Sequence, residues 1–536
     1  MHIGFLNPQG NFDSSNSHIT KHPDFGGQLI YVKQVAIALA EKGHKVDILT
    51  RQIIDPEWPE FAQVIETYPG VDNVRIIRLP AGPKEFLPKE LLWPHLINDW
   101  VPNILKFYRQ EGDLPDTMTA HYGDGGLCAV LIEQQTGIPF TFTAHSLGAQ
   151  KMDKLEVTRE NIPEIDEQFH FKYRILAERL SMNRSAMNIT STRQERFEQY
   201  SHRVYNGGVD VYDDNRFVVI PPGADFSIFG ANVRSENEEA TQEFVQERLA
   251  RDIAESRRDL PAILASSRLE PKKNILGLVR AFAMSPTLQE RANLVLLTGG
   301  LDDPLRQEAS DSITEEVLAP IREVVKENNL WGKISAFGLS DQSQQSLGAA
   351  YRFMVKRRSV FALTALYEPF GLAPLEAAVA GLPVVATKNG GPSESFRQGN
   401  KEYGVLVDPE DPADIARGLE RLLCNPDEWE YFAQAGQQRV LKNYTWESTA
   451  ENYLSLLKEI LSSPDTRPRT ELLPIHPFFL SPQSYTDVSI EELSDLYFGV
   501  KERLLKTTRM LPPQPLSLAV KRQSLQREEP TQRAAS

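Results

Sequence analysis

The sequence predicts an α/β fold made of two similar halves, each a parallel sheet covered by helices. Strand-like apolar runs alternate with helical patterns along most of the 536 residues, which is typical of parallel sheets. This length leaves room for two or three domains, each large enough to bury a core of its own. A hydrophobic content of 41% and a charged content of 24% are ordinary for a soluble enzyme.

In the first half, apolar runs predict strands and the stretches between them predict helices. The clearest helix lies between the first two strands, where Leu29, Val32 and Leu39 recur at helical spacing until Gly43 ends the run. The predicted strands cover residues 3–6, 45–50, 74–79, 140–144, 186–190 and 217–220. We place a first Rossmann-like domain at residues 1–225.

The second half repeats the pattern after a polar stretch rich in Glu and Gln. We interpret residues 226–258 as a connecting segment that carries a helix, and residues 259–445 as the second Rossmann-like domain. The amphipathic run that begins at Trp446 predicts C-terminal helices over 446–511 that pack back across the domains. Residues 512–536 are rich in Pro, Gln and Arg and predict a disordered tail. The predicted strands are 262–266, 294–297, 334–337, 360–363 and 384–387.

Composition excludes several classes of function. A net charge of −15 argues against a nucleic-acid partner, because binding phosphates nonspecifically requires an exposed cationic surface. Cys128 and Cys424 fit no metal-ligand or CxxC pattern, which indicates a reducing compartment and no disulfide. No apolar run approaches ~18 residues, and a strand follows Met1 almost at once. We therefore expect a cytoplasmic protein without a membrane span.

The segment 367–376, YEPFGLAPLE, contains the most informative pattern in the chain. Two glutamates, Glu368 and Glu376, stand eight positions apart around a Gly-Leu-Ala-Pro turn that joins a predicted strand to a predicted helix over 374–380. Glu368 can accept hydrogen bonds from sugar hydroxyls, and Glu376 can hold a ribose diol. The pattern suggests a nucleotide-sugar site. A pair of surface carboxylates is the alternative.

The turn itself predicts an anion site. Pro374 suits the first helical position, where its missing N–H costs nothing. The amides of Gly371, Leu372 and Ala373 would then be free to bind a diphosphate.

Five other loops follow predicted strands, at the sheet edge where doubly wound folds bind ligands. The loop 267–274 offers Arg268 and Lys273 to a diphosphate, with a solvated basic turn as the alternative. His145 follows the strand 140–144 directly, and a structural histidine is the alternative there. The remaining loops are glycine-rich and cover residues 7–27, 121–126 and 389–394.

In this order, the motifs PQGNF, HPDFGGQL, HYGDGG, TAHSLG, SSRLEPKKN, YEPFGLAPLEA and KNGGPSE resemble the sucrose-forming retaining glycosyltransferases of family 4, and are most similar to the sucrose-phosphate synthase group. The resemblance covers roughly residues 1–460. It implies the glycosyltransferase-B fold, with two Rossmann-like domains facing a cleft. It also implies transfer of glucose from UDP-glucose to fructose 6-phosphate, without a metal or another cofactor.

The resemblance implies roles for the donor site. Arg268, Lys273 and Glu376 would contact UDP, and the amides of Gly371, Leu372 and Ala373 would lie near the glucose and phosphates. Gly27 would approach the diphosphate from the other domain. His145 would bind the glucose near its 6-hydroxyl, and Glu368 its 3- and 4-hydroxyls. No carboxylate nucleophile is evident, which suggests front-side attack with the leaving phosphate accepting the proton.

The acceptor phosphate requires cations in the first domain. In the family, two adjacent arginines commonly stand at the positions of Tyr173 and Arg174, so one expected charge is missing. For each lysine the alternative is a surface charge, and for Arg179 we favour a salt bridge on a helix face. The candidate acceptor residues are Gly26, Gln28, Lys89, Tyr122, Ser146, Lys151, Lys172 and Arg174.

Three other functions stay open. A sucrose synthase would use free fructose, although chains of that type carry a long N-terminal extension that is absent here. Another sugar phosphate could be the acceptor, since acceptor loops vary on one fold. A non-catalytic nucleotide-sugar sensor would be expected to have lost one of the four catalytic candidates, His145, Arg268, Lys273 and Glu368. No phosphatase motif follows Trp446, so we expect sucrose 6-phosphate to pass to a separate phosphatase.

Overall fold

The computed structural model describes residues 1–9, 12–14, 27–307, 309, 312–339, 343–462 and 471–499. Within them the chain forms two large sheets, of eight and six strands, and one two-stranded hairpin. Helices cover both large sheets, and each sheet separates two buried apolar clusters. The predicted α/β class with two Rossmann-like halves is confirmed. The predicted tail 512–536 lies outside the described residues.

The first sheet has the order β3-β4-β2-β1-β5-β6-β7-β8, and among these strands only the edge strand β3 pairs antiparallel. Its strands are β1 (His2–Leu6), β2 (Lys45–Arg51), β3 (Ile65–Thr67), β4 (Val74–Leu79), β5 (Thr117–His121), β6 (Phe140–Thr143), β7 (Met187–Thr190) and β8 (Phe217–Val219). Its helices are α1 (Gly27–Glu41), α2 (Trp93–His95), α3 (Val101–Glu111), α4 (Tyr122–Thr136), α5 (Gly148–Lys154), α6 (Ile162–Phe169) and α7 (Phe171–Arg184).

The second sheet is parallel throughout its described strands, in the order β11-β10-β9-β12-β13-β16. The strands are β9 (Ala262–Ser266), β10 (Asn293–Leu297), β11 (Ile334–Phe337), β12 (Val360–Leu363), β13 (Val384–Thr387), the hairpin β14 (Arg397–Gln398) and β15 (Lys401–Glu402), and β16 (Val405–Val407). The helices are α8 (Phe226–Phe229), α9 (Glu238–Asp252), α10 (Ile275–Met284), α11 (Pro286–Arg291), α12 (Ser312–Glu327), α13 (Gln344–Lys356), α14 (Leu372–Ala380), α15 (Pro392–Ser395), α16 (Pro412–Cys424) and α17 (Pro426–Asn443).

Both strand orders reverse beside a central strand, next to β1 in the first sheet and next to β9 in the second. In doubly wound sheets, ligands bind where the order reverses, at the carboxyl ends of the strands. In the first sheet this point lies between β1 and β5, and in the second between β9 and β12. The segments that follow β5, β9 and β12 are among those that the sequence marked as unusual.

The segment 226–258 differs from the predicted connection, because it packs into the second domain. Phe229, Val245 and Leu249 belong to the same buried cluster as Tyr351 of α13. A buried ion pair between Glu238 and Arg352 joins α9 to α13. The apolar positions of α9 recur at four-residue spacing, so the helix presents one face to the sheet despite its polar composition.

The chain crosses between the two domains twice, and the two crossings lie side by side. The amide of Ala224 donates to the carbonyl of Tyr444 at 2.8 Å. A Cβ added to Gly223 would lie 2.2 Å from the carbonyl carbon of Thr445, so only glycine permits this close approach. The two chain segments that connect the domains therefore form a narrow junction between them.

After the second crossing, three helices return to the first domain: α18 (Trp446–Ser462), α19 (Pro477–Leu480) and α20 (Ile490–Phe498). Tyr453 of α18 is buried in the cluster formed by β1 and α1. Phe478 and Leu493 enter the cluster on the opposite face of the sheet. Within the described part of the chain, no helix is both long and apolar enough to cross a bilayer.

Candidate active site

The glutamate motif lies on the turn between β12 and α14, and its backbone differs from the prediction in one respect. The helix begins at Leu372, so Pro374 is its third residue and not its first. Gly371 caps the helix with φ +90°, a left-handed conformation that favours glycine and turns the chain into the helix two residues early. The first-turn amides still lack intrahelical partners, so the amides of Gly371, Leu372 and Ala373 can still donate hydrogen bonds to an anion, as predicted.

A second glycine turn, 389–391, holds Glu368 in place from the neighbouring strand end. The amide of Glu368 donates to the carbonyl of Asn389 at 3.1 Å, and the amide of Gly391 donates to the carbonyl of Glu368 at 2.9 Å. Gly390 has φ +95°, and a Cβ there would lie 2.0 Å from the carbonyl oxygen of Glu368. The KNGGPSE motif therefore fixes the backbone beneath the glutamate.

Of the two predicted cations in the loop after β9, Lys273 meets Glu368 and Arg268 does not. Lys273 Nζ lies 2.7 Å from Glu368 Oε2, and both side chains are largely buried. Arg268 is exposed and pairs with Glu270 at 3.1 Å, while Lys272 reaches the other oxygen of Glu270 at 2.7 Å. Burial alone would raise the pKa of Glu270, but the ammonium of Lys272 and the guanidinium of Arg268 hold it below its ordinary value.

One backbone hydrogen bond and one side-chain hydrogen bond keep this loop against the end of β12. The amide of Leu366 donates to the carbonyl of Lys272 at 3.0 Å. Asn274, in a left-handed conformation, donates through Nδ2 to the carbonyl of Thr364 at 3.1 Å and caps α10 through its Oδ1. Lys273 and Glu368 are thus brought together by main-chain contacts as well as by their charges.

Glu376 sits one turn into α14, close to Asp225 at the start of α8. Burial and, to a smaller extent, the negative charge of Asp225 together raise the pKa of Glu376 to about 7. Its carboxyl therefore titrates near neutral pH, where an ordinary glutamate is fully ionised.

This raised pKa predicts a pH-dependent stability. Since the folded protein binds the Glu376 proton more tightly than the unfolded chain does, the contribution of Glu376 to stability is fully present below about pH 4.5 and is lost as the pH rises through about 7. Glu376→Gln removes this pH-dependent contribution, because a glutamine side chain does not titrate. We expect the melting temperature of the variant to exceed that of the parent more at pH 8 than at pH 5, measured by thermal unfolding. Glu239→Gln, an exposed change on α9, should show no such divergence, and an equal divergence would contradict the assignment.

His145 stands at the tip of a tight turn after β6, half-buried and with φ +57°. The amide of Ser146 donates to the carbonyl of Ala144 at 2.6 Å, which closes the turn. His145 Nε2 lies 2.8 Å from Nδ1 of His121, the last residue of the neighbouring strand β5. Burial lowers the pKa of His145 to about 3, so its ring is neutral at physiological pH.

On the acceptor side the structure places two of the predicted residues, Ser146 and Tyr122, against Arg174. The guanidinium of Arg174 donates to the carbonyl of Ser146 at 3.0 Å and to its Oγ at 3.1 Å, and it lies 4.5 Å from the ring centre of Tyr122. It also pairs with Glu178 at 2.9 Å. Glu178 is fully buried and accepts the amide of Gly148, so it anchors both Arg174 and the loop after β6.

The predicted lysines contact other groups. Lys151 lies over the ring of Phe169 at 3.8 Å, and Lys172 pairs with Asp487 of the C-terminal segment at 2.8 Å. Lys89 lies 3.5 Å from the carboxylate of Glu90. Arg179 forms no helix-face salt bridge in the described part of the chain, contrary to our expectation. It donates instead to backbone carbonyls, including that of Asn206 at 2.9 Å.

Tyr173, at the position of the expected arginine, is packed by the same C-terminal segment. Its ring stacks on Phe478 with centres 4.3 Å apart, and its hydroxyl donates to Asp487 at 2.6 Å. Because Phe478 and Asp487 are about 300 residues away in sequence, no local signal could predict this contact.

The HYGDGG motif forms the first turn of α4, whereas the sequence suggested a loop. A Cβ on Gly125 would lie 2.5 Å from the carbonyl oxygen of Leu6, so the glycines allow the helix to start against β1. Asp124 in this turn was not among the predicted site residues. It is buried, and burial raises its pKa to about 7 although Arg174 and Lys89 lie near enough to oppose the shift.

The glycine pair before α1 is described in part. Gly26 lies outside the described residues. Gly27 is exposed at the first position of α1, and Gln28 donates through Nε2 to Asn7 Oδ1 at the end of β1. Within the described residues, no group of three His, Cys, Asp or Glu side chains is arranged to hold a metal ion.

The two domains also touch through Glu394 of the KNGGPSE motif. Its carboxylate accepts the amide of Arg193 at 3.0 Å and that of Gln194 at 2.7 Å, both just after β7 in the first domain. Gln194 in turn contacts the hydroxyl of Ser393 at 3.4 Å. This contact links the strand ends of the two sheets.

Two doubly wound sheets that carry sugar- and phosphate-binding motifs at their strand ends are the arrangement of the glycosyltransferase-B fold. Residues 1–249 match the model of the sucrose synthase first GT-B domain, and residues 246–439 match that of the glycosyl transferases group 1. A probable sucrose-phosphate synthase of Thermosipho melanesiensis is 41% identical over 462 residues, covering 86% of this chain and 97% of that protein. The chain therefore belongs to the sucrose-phosphate synthase family of retaining glycosyltransferases.

Two further comparisons agree. Sucrose-phosphate synthase 4 of Arabidopsis thaliana is 32% identical over 509 residues, which covers 85% of this chain and 47% of the plant protein. The chain thus spans about half the length of that plant relative. The solved sucrose-phosphate synthase of Thermosynechococcus elongatus has a TM-score of 0.62 at 24% identity and covers 86% of this chain and 100% of its own, which supports the fold.

Proposed function

We propose that this protein transfers glucose from UDP-glucose to fructose 6-phosphate with retention, giving sucrose 6-phosphate and UDP. The observation that carries the proposal is the Lys273–Glu368 pair at 2.7 Å, placed at the switch point of the second sheet beside the first turn of α14. A cation for the diphosphate, a carboxylate for sugar hydroxyls and free helix amides thus occur in one place. The names of the relatives are consistent with this product.

In the proposed reaction, cleavage of the glucosyl bond concentrates negative charge on the β-phosphate of UDP. Arg268 and Lys273 would stabilise that charge most strongly in the transition state, when it is largest. Arg268 is exposed before the donor arrives, so it is free to exchange Glu270 for phosphate oxygens. We propose that these fixed cations replace a metal ion, and that turnover persists in excess EDTA.

Glu368 and His145 would orient the glucose, the first at the 3- and 4-hydroxyls and the second near the 6-hydroxyl. Neither group is proposed as a covalent nucleophile. The fructose hydroxyl would approach from the side of the departing phosphate, and a phosphate oxygen would accept its proton. Retention follows because bond formation and cleavage occur on one face.

Arg174 is proposed to bind the acceptor phosphate, and this gives a direct prediction. Arg174→Lys keeps a charge near Glu178 but loses the fork that reaches Ser146. We expect the KM for fructose 6-phosphate to rise roughly tenfold, the loss of about one charge-assisted hydrogen bond, with the KM for UDP-glucose unchanged. Arg179→Lys, the same change on the same helix, should alter neither value. Equal effects from both variants in steady-state kinetics would contradict the assignment.

One observation favours free fructose as an alternative acceptor. Tyr173 replaces the second expected arginine, and the ammonium of Lys172 is already paired with Asp487. A site with fewer free cations binds a phosphate less tightly. Under this alternative, the protein would form sucrose directly from UDP-glucose and fructose.

The product identity tests the proposed reaction. Transfer to the anomeric hydroxyl leaves the phosphate ester of fructose intact, so the pure protein should release sucrose 6-phosphate. We further propose that a separate phosphatase consumes this product, in the cytoplasm. Chromatography of the reaction mixture should show free sucrose only after a phosphatase is added. Free sucrose formed from fructose 6-phosphate by the pure protein would overturn this part of the proposal.

A further inference from the structure

His121 is a buried histidine that no step of the proposed reaction uses. It is the last residue of β5, and its Nδ1 lies 2.8 Å from Nε2 of His145. The register pairs His121 with Thr143 on β6, which places the two histidines on adjacent parallel strand ends. The ring centres are 5.1 Å apart and the ring planes are inclined by 25°, so the rings meet nearly edge to edge.

The other ring nitrogen of His121 continues inward through a chain of hydroxyls. Nε2 of His121 lies 3.3 Å from Thr119 Oγ1, which lies 3.1 Å from the hydroxyl of Tyr453 on α18. Thr119 and Tyr453 are fully buried, and the ring of His121 is held flat against Phe5 at 5.4 Å. His121 is therefore fixed from one face and from both ring nitrogens.

Because both rings are neutral, the hydrogen bond between His121 and His145 fixes the tautomer of His145. A neutral histidine has one N–H and one bare nitrogen, so one member of the His121–His145 contact donates and the other accepts. Burial lowers the pKa of both rings, so neither is charged at physiological pH. Whichever nitrogen carries the shared proton, Nδ1 of His145 is left in one defined state, either as donor or as acceptor.

We infer that His121 is a positioning residue that sets the tautomer and ring orientation of His145 for the glucose of the donor. The inference rests on the proposed function, in which His145 contacts the sugar near its 6-hydroxyl. Thr119 and Tyr453 act behind it by holding His121, so the C-terminal helix α18 supports the donor site from the first domain. Because neutral His121 has one donor and one acceptor nitrogen, its hydrogen bonds to His145 and to Thr119 run in the same direction.

The test uses His121→Phe, which keeps the stacking on Phe5 but removes both nitrogens. Affinities for UDP-glucose and for UDP are measured by calorimetry on the full chain. We expect affinity for UDP-glucose to fall about tenfold, the worth of one to two hydrogen bonds, while affinity for UDP stays within twofold. Equal losses for both ligands would mean that His121 serves only the fold, and no loss for either would also overturn the inference.

His121→Gln provides the rescue arm, because its amide offers a donor and an acceptor in place of the ring. We expect it to recover a substantial part of the UDP-glucose affinity. In ¹⁵N spectra of labelled histidine side chains, His145 should show one protonated and one bare nitrogen in the parent protein and exchange between tautomers in His121→Phe. An unchanged His145 signature would contradict the inference.

The two readouts separate this inference from the proposed function. The tautomer measurement needs no substrate, so it reports on the histidine pair even if fructose 6-phosphate is not the acceptor. If His145→Ala leaves the ratio of the affinities for UDP-glucose and UDP at the parent value, the role of His145 in the donor site fails. If His145→Ala changes this ratio and His121→Phe does not, only the role of His121 fails.

Discussion

Lys273→Ala is expected to lower kcat for glucosyl transfer by roughly 10²–10³-fold, the typical cost of losing one preorganised group that stabilises developing charge. Lys273 lies 2.7 Å from Glu368 in a partly buried site, where electrostatic interactions are stronger than at the surface. Its removal also leaves the carboxylate of Glu368 without its counter-charge. The measurement is steady-state release of UDP, with circular dichroism to verify the fold.

Lys272→Ala is the matched control, one residue earlier in the same loop. Lys272 is 62% exposed and pairs with Glu270, so its loss should change kcat by no more than about twofold. A similar loss of kcat in the two variants would show that only the total charge of the loop matters for catalysis, and would contradict a specific role for Lys273. The double variant Lys273→Ala with Glu368→Gln should lose much less than the product of the single losses, because the two residues act as a unit.

Gly390→Ala is expected to reduce both stability and activity. The added Cβ would lie 2.0 Å from the carbonyl oxygen of Glu368, and φ +95° is strained for alanine. The turn must move, and Glu368 with it. Since displacement of a positioning group by 1 Å can cost about 10²-fold, we expect kcat/KM to fall by that order and the melting temperature to fall by several degrees.

Gly299→Ala serves as the control for this change. It follows β10 in the same domain, and a Cβ there meets no atom within 4 Å. We expect near-parent kcat/KM and melting temperature. If Gly390→Ala behaves like Gly299→Ala in thermal unfolding and kinetics, then the 389–391 turn does not hold Glu368 as described.

The sequence predicted most of the two sheets, because their central strands are short apolar runs between clear turn signals. The predicted strand 360–363 and β12 have the same bounds, as have the predicted strand 334–337 and β11. No bounds were predicted for the central strand β5. Two edge strands, β3 and β16, were missed since three residues carry too little pattern to reveal a strand. The polar composition of α9 led to its interpretation as part of a connection.

For the site, motifs gave the residues of each loop but not the contacts between loops. Lys273 and Glu368 were both predicted, and their pairing depends on β9 and β12 being neighbours. The His121–His145 contact likewise depends on strand register. Lys172 and Asp487 pair although they are 315 positions apart in sequence, and local spacing patterns cannot predict so distant a contact.

Acceptor preference tests the central claim most directly. Release of UDP from UDP-glucose is measured side by side with fructose 6-phosphate and with fructose at equal concentrations. The proposed function predicts a much higher kcat/KM with the phosphorylated sugar, and Arg174→Lys should reduce that preference. Equal or higher kcat/KM with fructose would contradict the assignment of fructose 6-phosphate as the acceptor.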